Sequence, residues 1–152
     1  MTRLLTDTML GGLTTYLRMC GYDTVYALDV GLEASDAVRT YATAQHRQLL
    51  TRNRELAGRT DNALLLESRD TETMLSTLWD EGFELRLSSS PERCGTCNGT
   101  VTRVESDART PAYAPAPHSI AVWVCQDCGQ YFWKGSHWDD VAETLEAVRE
   151  NP

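Results

Sequence analysis

The chain has 152 residues, of which 41% are hydrophobic and 24% charged, a composition typical of one globular domain or of a small domain with a minidomain. The formal net charge of −8 argues against a broad nucleic-acid-binding surface, and no apolar run approaches the length of a membrane span. The start MTRLLTDTMLGG lacks the layout of a signal peptide, so we expect a cytoplasmic protein with no membrane partner.

The first ninety residues alternate between stretches typical of strands and stretches typical of helices. Strands are predicted at 3–6, 23–28, 47–51, 62–67 and 83–88, and helices at 9–20, 34–45 and 71–82. Strands that alternate with helices indicate βαβ units, which place the strands in a mostly parallel sheet covered on both faces by helices. The sequence therefore predicts an α/β fold for this part of the chain.

The composition changes at SSSPER (88–93), and two cysteine pairs separated by a proline-rich stretch follow. A strand is predicted at 119–125 and an amphipathic helix at 136–150, with apolar residues at helical spacing. We therefore expect three parts, which are an α/β domain over 1–90, a zinc ribbon over 91–138 and a C-terminal amphipathic helix over 139–152.

The two cysteine pairs, CGTCNG and CQDCGQ, give the strongest signal in the chain. Four thiolates satisfy the tetrahedral preference of Zn²⁺ and leave no position open, so they predict a structural zinc site. The predicted ligands are Cys94, Cys97, Cys125 and Cys128. Disulfides are the alternative, which the lack of a signal peptide disfavours. We expect the remaining Cys20 to be a small buried residue at a helix end.

An aromatic and basic stretch, QYFWKGSHW, follows the second cysteine pair. Its tyrosine and tryptophans are able to stack RNA bases, while Lys134 and His137 are candidates for contact with phosphate. The alternative is that the aromatic side chains cement the ribbon to the α/β part. For Phe132 and Trp133 this packing interpretation is at least as strong.

Three polar residues are predicted to meet at the carboxyl edge of the sheet, where open α/β sheets place their sites. Asp7 follows the first strand, Asn53 follows the third, and Asp36 lies near the start of the helix after the second. Mg²⁺ binds through one or two carboxylates, water and substrate phosphate oxygens, so Asp7 and Asp36 are candidate ligands of Mg²⁺ or Mn²⁺. One alternative is that Asp7 caps the next helix. Another is that Asp36 only stabilises its helix by a favourable interaction with the helix dipole.

Three arginines are candidates for substrate binding. Arg52 and Arg54 flank Asn53, and Arg18 lies on the first predicted helix. Each is able to position a phosphate, and pairing with surface carboxylates is an equally good alternative.

Four stretches together resemble a known family. They are TDTMLGGLTTYLRMCGYDT (6–24), SDAVRTYATAQHRQLLTRNREL (35–56), ERCGTCNG (92–99) and CQDCGQYFWKGSHW (125–138). With these stretches in this order, the chain resembles the Mut-seven C-terminal ribonuclease family, a PIN-like nuclease domain joined to a zinc ribbon. The pairing of LRMCGYD with the late FWKGSHW carries most of the specificity.

The resemblance implies a metal-dependent ribonuclease with a PIN-like acidic site, and it maps that site onto Asp7 and Asp36. In the family the Thr-Arg dipeptide is usually followed by Asp, whereas this chain has Asn53. An amide oxygen ligates a hard cation without supplying charge, so we expect weaker Mg²⁺ binding and weaker activation of water. Glu55 and Asp61 are alternative sources of a third carboxylate.

The leading hypothesis is a ribonuclease that hydrolyses RNA phosphodiester bonds with Mg²⁺ or Mn²⁺, using Asp7, Asp36 and Asn53. One alternative is a catalytically weakened RNA- or ribosome-binding zinc-ribbon protein, and another is an adaptor that docks a partner through the acidic terminal helix. The expected partners are RNA and the ribosome or other RNA-processing proteins. Lys134 is the single lysine, which suggests a halophilic archaeon, and concentrated salt makes the net charge weaker evidence against RNA.

Overall fold

The structure, a computed structural model, describes residues 2–150 and begins with a four-stranded parallel sheet. Its strands are β1 (Leu4–Thr6), β2 (Thr24–Tyr26), β3 (Gln48–Thr51) and β4 (Ala63–Leu65), in the order β2-β1-β3-β4. The central strands β1 and β3 bury a leucine pair each, as expected of parallel strands that are covered on both faces. The predicted α/β class with a parallel sheet is confirmed.

Helices cover the two faces of this sheet. They are α1 (Gly11–Met19), a 3-10 turn (Ala27–Val30), α2 (Ser35–Ala44), α3 (Arg54–Arg59) and α4 (Thr71–Asp80). Leu4 and Leu50 pack with α1 and α4, whereas Leu5 and Leu49 pack with α2. Successive residues of a strand point to opposite faces, so each central strand contributes to both cores.

The strand predicted at 83–88 is wrong, because this segment has no strand pairing. Leu85 is buried in the core, which accounts for the apolar pattern. The backbone of the segment bonds to side chains instead: Tyr22 Oη accepts from the Glu84 N–H at 2.9 Å, and Arg149 donates to the Leu85 carbonyl at 2.6 Å. The short helix α3 was not predicted, since its six residues are too few for a clear period.

The cysteine-rich part forms a second, antiparallel sheet of three strands. These are β5 (Val101–Arg103), β6 (Val122–Cys125) and β7 (Tyr131–Trp133), in the order β5-β6-β7. The strand predicted at 119–125 is thus present but begins three residues later. Val101 and Trp123 form a small core with the cysteines, and this core is too small to stabilise the ribbon without a staple.

The chain continues into the C-terminal helix α5 (Ser136–Glu150), which confirms the helix predicted there. Val141, Leu145 and Val148 are buried in the same cluster as α1 and α4, so α5 completes the core of the first sheet. The division of the chain into three units stays a prediction. Within residues 2–150, every helix is too short or too polar to cross a membrane.

Candidate functional site at the carboxyl edge of the sheet

Asp7 directly follows β1 and is held rigidly at the carboxyl edge of the sheet. Its side chain is 6% exposed. One carboxylate oxygen, Oδ2, accepts a 2.6 Å hydrogen bond from the Thr51 hydroxyl, and Oδ1 accepts one of 2.8 Å from the Thr8 N–H. The side chain does not cap α1, whose first turn has no side-chain cap. The carboxylate is therefore fixed between the ends of β1 and β3.

Asn53 follows β3 and caps α3. Its Oδ1 accepts a 3.1 Å hydrogen bond from the Leu56 N–H, and its own N–H donates to the Thr51 hydroxyl at 3.0 Å. Asparagine is among the best N-cap residues because its side-chain oxygen satisfies an otherwise unpaired helix N–H. Thr51 thus joins Asn53 to Asp7, and the Asn53 amide oxygen is engaged with the helix.

Asp36 lies in the first turn of α2, as predicted, but its carboxylate points to α3. The side chain is 86% exposed and forms an ion pair with Arg59. Arg59 also pairs with Glu55 at 3.2 Å, so Glu55 is not turned toward Asp7. Asp61 is exposed and belongs to no acidic cluster within residues 2–150.

The residues at this edge fit a hard cation through Asp7. Within residues 2–150, each carboxylate oxygen of Asp7 accepts one hydrogen bond. Each oxygen therefore has a further lone pair with which to bind a metal. Apart from the cysteines, no three His, Cys, Asp or Glu side chains of residues 2–150 converge on one point. Mg²⁺ needs only one or two carboxylates when substrate phosphate and water complete its shell, so Asp7 is an adequate anchor. Asp36 would join only by leaving Arg59.

Two further residues lie at this edge and were not singled out from the sequence. The Tyr26 hydroxyl donates a 2.5 Å hydrogen bond to the Thr8 carbonyl, and burial, with smaller contributions from the charges of Asp29 and Asp7, raises the pKa of Tyr26. Asp29 lies in the 3-10 turn after β2 and pairs with Arg18 at 3.5 Å. The strand-end pattern that selected Asp7 would also have selected Asp29, since it directly follows the stretch predicted as the second strand.

The arginines proposed to bind phosphate all have partners within the protein. Arg52 donates to the Ser68 carbonyl at 3.0 Å, and Arg54 pairs with Glu67 at 2.5 Å on an exposed surface. Arg18 is 3% exposed and donates to three backbone carbonyls. The ion pairs of Arg54 with Glu67 and of Arg18 with Asp29 match the pairing alternative, and the phosphate-binding role of all three arginines stays a prediction.

The four cysteines of the ribbon converge as the sequence predicts. Their sulfur atoms all lie within 4.8 Å of one another, with Cys94 and Cys128 at 3.7 Å and Cys97 and Cys125 at 3.5 Å. A tetrahedron of sulfurs about 2.3 Å from zinc has edges of about 3.8 Å, so this cluster fits Zn²⁺. None of the four forms a disulfide.

The pKa of the Cys125 thiol is lowered, whereas burial raises the pKa of Cys94 and raises that of Cys97 to about 12. Burial by itself raises the pKa of Cys125, but the N–H groups of Cys128 and Asp127, each 3.4 Å from its sulfur, and the neighbouring thiols outweigh burial and lower the pKa to about 7. A thiolate at neutral pH is the form that binds a metal. The fit of the cluster to zinc rests on the geometry of its four sulfur atoms.

A cleft of about 650 Å³ separates the ribbon from the first sheet. Gly11, Tyr26 and Asp29 line one wall, while Trp133 and His137 belong to the opposite wall with other aromatic residues of the ribbon. Asp7 does not line the cleft, which begins beside Tyr26. The cleft therefore runs from the edge that carries Asp7 to the aromatic face of the ribbon.

The two basic residues of the aromatic stretch differ in their contacts. Lys134 donates to the Ser89 carbonyl at 2.6 Å and lies 5.3 Å from the ring centroid of Trp138. His137 is exposed at the cleft. Trp133 contacts Tyr113, with ring centroids 6.2 Å apart, and remains partly exposed in the cleft wall. The aromatic side chains thus both pack within the ribbon and face the cleft.

Comparison with known proteins identifies the family. The sequence model of the family described as "Mut7-C RNAse domain" matches residues 2–145, which is nearly the whole chain. No curated protein and no solved structure gives a significant match. The family description indicates a nuclease-type function with RNA as the substrate. The chain therefore belongs to the Mut7-C RNase domain family.

Proposed function

We propose that the protein is a metal-dependent ribonuclease that hydrolyses RNA phosphodiester bonds at the carboxyl edge of the parallel sheet. The observation that supports this is the buried Asp7 carboxylate, held by Thr51 and by the Thr8 N–H at the end of β1. Asp7 forms no ion pair within residues 2–150. A buried carboxylate without a cationic partner destabilises the fold, but it is well suited to bind a cation.

Each residue at the edge has a distinct role in this proposal. Asp7 holds Mg²⁺ or Mn²⁺, Asp36 adds a second carboxylate after leaving Arg59, and Asn53 serves as a neutral, weaker ligand. When bound, the cation supplies Lewis-acid activation of water and neutralises charge on the phosphate. Thr51 keeps the Asp7 carboxylate in one orientation, which reduces the reorganisation needed when substrate arrives.

The cleft supplies the surface that carries the RNA chain away from Asp7. Bases stack on partly exposed aromatic residues such as Trp133, and His137 meets phosphate at the mouth. Arg52 and Arg54 are close in sequence to Asn53 and are proposed to position the phosphates on the other side of the edge. The four cysteines hold structural zinc and keep the aromatic wall in place.

The test is cleavage of RNA in concentrated salt with Mg²⁺ or Mn²⁺, comparing wild type, Asp7→Asn and Asn53→Asp. Asp80→Asn, a neutralised exposed carboxylate on α4, is the matched control. We expect wild type and the control to cut, Asp7→Asn to lose at least about 100-fold in rate and Asn53→Asp to cut faster. Equal cleavage by wild type and Asp7→Asn would contradict the proposal.

The second candidate function is RNA or ribosome binding by a nuclease whose site has weakened. Two contacts favour it: the Asn53 oxygen is occupied by the Leu56 N–H, and Asp36 is paired with Arg59. The same assay separates the two functions. If only Asn53→Asp cuts while wild type binds RNA without cutting it, the natural protein is a binder.

A further inference from the structure

The outer side of β2 is covered by side chains where a neighbouring strand would otherwise lie. β2 is an edge strand that pairs only with β1 within residues 2–150. The outward N–H of Thr24 donates a 2.9 Å hydrogen bond to Asn98 Oδ1, and its carbonyl accepts one of 2.9 Å from Arg18 Nε. These two side chains satisfy the outward backbone N–H and carbonyl of Thr24, which an edge strand would otherwise leave unpaired.

Arg18 connects this strand to the loop of the first cysteine pair. It projects from α1, is 3% exposed, and its Nη1 donates to the carbonyls of Gly95 at 3.2 Å and Thr96 at 3.1 Å. The two carbonyls lie between the predicted zinc ligands Cys94 and Cys97. Burial lowers the pKa of Arg18, and the Asp29 carboxylate 3.5 Å away partly offsets this.

Asn98 makes the second connection, and it does so from a special backbone conformation. Its φ of 71° lies in the left-handed region, which asparagine tolerates better than most residues. Besides accepting from Thr24, its Nδ2 donates to the Asp23 carboxylate at 2.8 Å. Asn98 directly follows Cys97, so the path of the cysteine loop determines whether its side chain reaches β2.

We propose that the zinc-bound loop 94–99 takes the place of a neighbouring strand for β2 and, through Arg18 and Asn98, positions Tyr26 and Asp29 at the sheet edge that carries Asp7. Arg18 is then a positioning residue, and the phosphate contact predicted for it from the sequence stays a separate prediction. The support of β2 by the loop is independent of nuclease activity. Only the consequence for Tyr26 and Asp29 at the active edge rests on the proposed function.

Two backbone hydrogen bonds of 2.8 Å close the loop on itself, from the Cys94 N–H to the Gly99 carbonyl and from the Asn98 N–H to the Cys94 carbonyl. Zinc would hold the loop to the rest of the ribbon through Cys94 and Cys97, which flank the two carbonyls that Arg18 contacts. The loop makes no strand pairing beyond a single bridge between Arg93 and Thr100, and two of its six residues are glycine. A structural zinc site supplies folding free energy directly, and its loss releases the segments between ligands. Release of the loop removes two of the three carbonyl acceptors of Arg18, those of Gly95 and Thr96, and at the same time the contacts of Asn98 with Thr24 and Asp23.

Amide hydrogen exchange of the full chain, with zinc and after chelation, tests the link without RNA. We expect chelation to speed exchange in β2 (Thr24–Tyr26) about tenfold or more, while β3 and β4 keep their protection. The ribbon strands lose protection in any case and serve as the positive control. If β2 is equally protected with and without zinc, the proposal is overturned.

Asn98→Gly is the decisive variant, because glycine keeps the positive φ and removes only the side chain. Metal analysis first establishes that the variant still holds zinc. We expect β2 to exchange about tenfold faster than in wild type even with zinc bound, and chelation to add less than it does in wild type, because only the contacts of Arg18 remain to be lost. An undiminished effect of chelation on β2 in this variant would contradict the role of Asn98.

Arg18 is tested with a pair of substitutions and a matched control. Arg18→Met removes all of its hydrogen bonds, whereas Arg18→Lys retains a donor and is expected to restore part of the β2 protection. Arg149→Met is the control, since it removes an arginine-to-carbonyl bond of 2.6 Å to Leu85, away from β2. Equal loss of β2 protection in Arg149→Met and Arg18→Met would show a general loss of stability and overturn the positioning role. If Arg18→Met fails to fold, Asn98→Gly decides alone.

Discussion

The Thr51 hydroxyl donates a 2.6 Å hydrogen bond to the Asp7 carboxylate and accepts one of 3.0 Å from the Asn53 N–H. One buried threonine thus joins the end of β1 to the start of α3. A hydroxyl has one proton, which the Thr51 hydroxyl donates to Asp7. Its oxygen is therefore left to accept the hydrogen bond from the Asn53 N–H. This relay ties the orientation of the candidate cation ligand to the cap of a helix.

Thr51→Val removes the relay with little change in shape. We expect a loss of about 1.5–3 kcal/mol in the free energy of unfolding, because the hydrogen bond is to a charged group in a buried site. Urea unfolding measures this. Thr60→Val is the matched control, since the buried Thr60 hydroxyl donates to a neutral carbonyl, that of Leu56, at 2.8 Å. An equal loss of stability in Thr51→Val and Thr60→Val would contradict a special contribution of the hydrogen bond between Thr51 and Asp7.

Variants of Asn53 separate its role as the N-cap of α3 from the effect of a negative charge at this position. Asn53→Ala removes the cap of α3 and is expected to lose about 1 kcal/mol, as is Asp70→Ala, which removes the corresponding cap of α4. Asn53→Asp keeps the cap and adds a carboxylate near Asp7. Because a ligand that binds more tightly stabilises the folded state more, Mn²⁺ should raise the melting temperature of Asn53→Asp more than that of wild type. An equal Mn²⁺ effect on both proteins would refute the proposed site.

The buried thiol of Cys20 is expected to lower the free energy of unfolding as the pH rises above 9. Burial raises the pKa of its thiol from 9.0 to about 12. Because the folded pKa lies above the unfolded one, the contribution of Cys20 is complete below pH 9 and is lost as pH rises toward 12, by about 1.4 kcal/mol per pH unit. Unfolding of wild type and Cys20→Ala at pH 8 and pH 10.5 measures the difference, in which other titrating groups cancel. A difference that does not change with pH would show that Cys20 ionises freely.

The aromatic wall of the cleft is tested by RNA affinity in the Asp7→Asn background, where cleavage does not interfere. Trp133→Leu and Trp138→Leu are each expected to weaken binding by about 1–3 kcal/mol, the value of one stacked base. Trp79→Leu is the control, because Trp79 packs on the core of the first sheet. Unchanged affinity in the cleft variants would leave these tryptophans as packing residues of the ribbon.

Local sequence determined the elements that depend on short-range patterns. The central strands, the helices α1, α2, α4 and α5, and the zinc ligands follow from apolar periodicity and from cysteine spacing. The wrong strand at 83–88 has the same origin, since Leu85 is buried as the pattern indicates. The partners of that segment, Tyr22 and Arg149, are about sixty residues away in either direction. No local sequence pattern predicts contacts at that separation.

The site divides in the same way. The position of Asp7 follows from the sequence, because a residue after a parallel strand must lie at the carboxyl edge of the sheet. Tertiary structure decided the rest: Asp36 turns to Arg59, Asn53 caps α3, and Arg18 reaches the cysteine loop 77 and 78 residues further along the chain. Backbone position is set by local hydrogen bonding and burial, whereas the partner of a long polar side chain is set by whichever elements pack beside it.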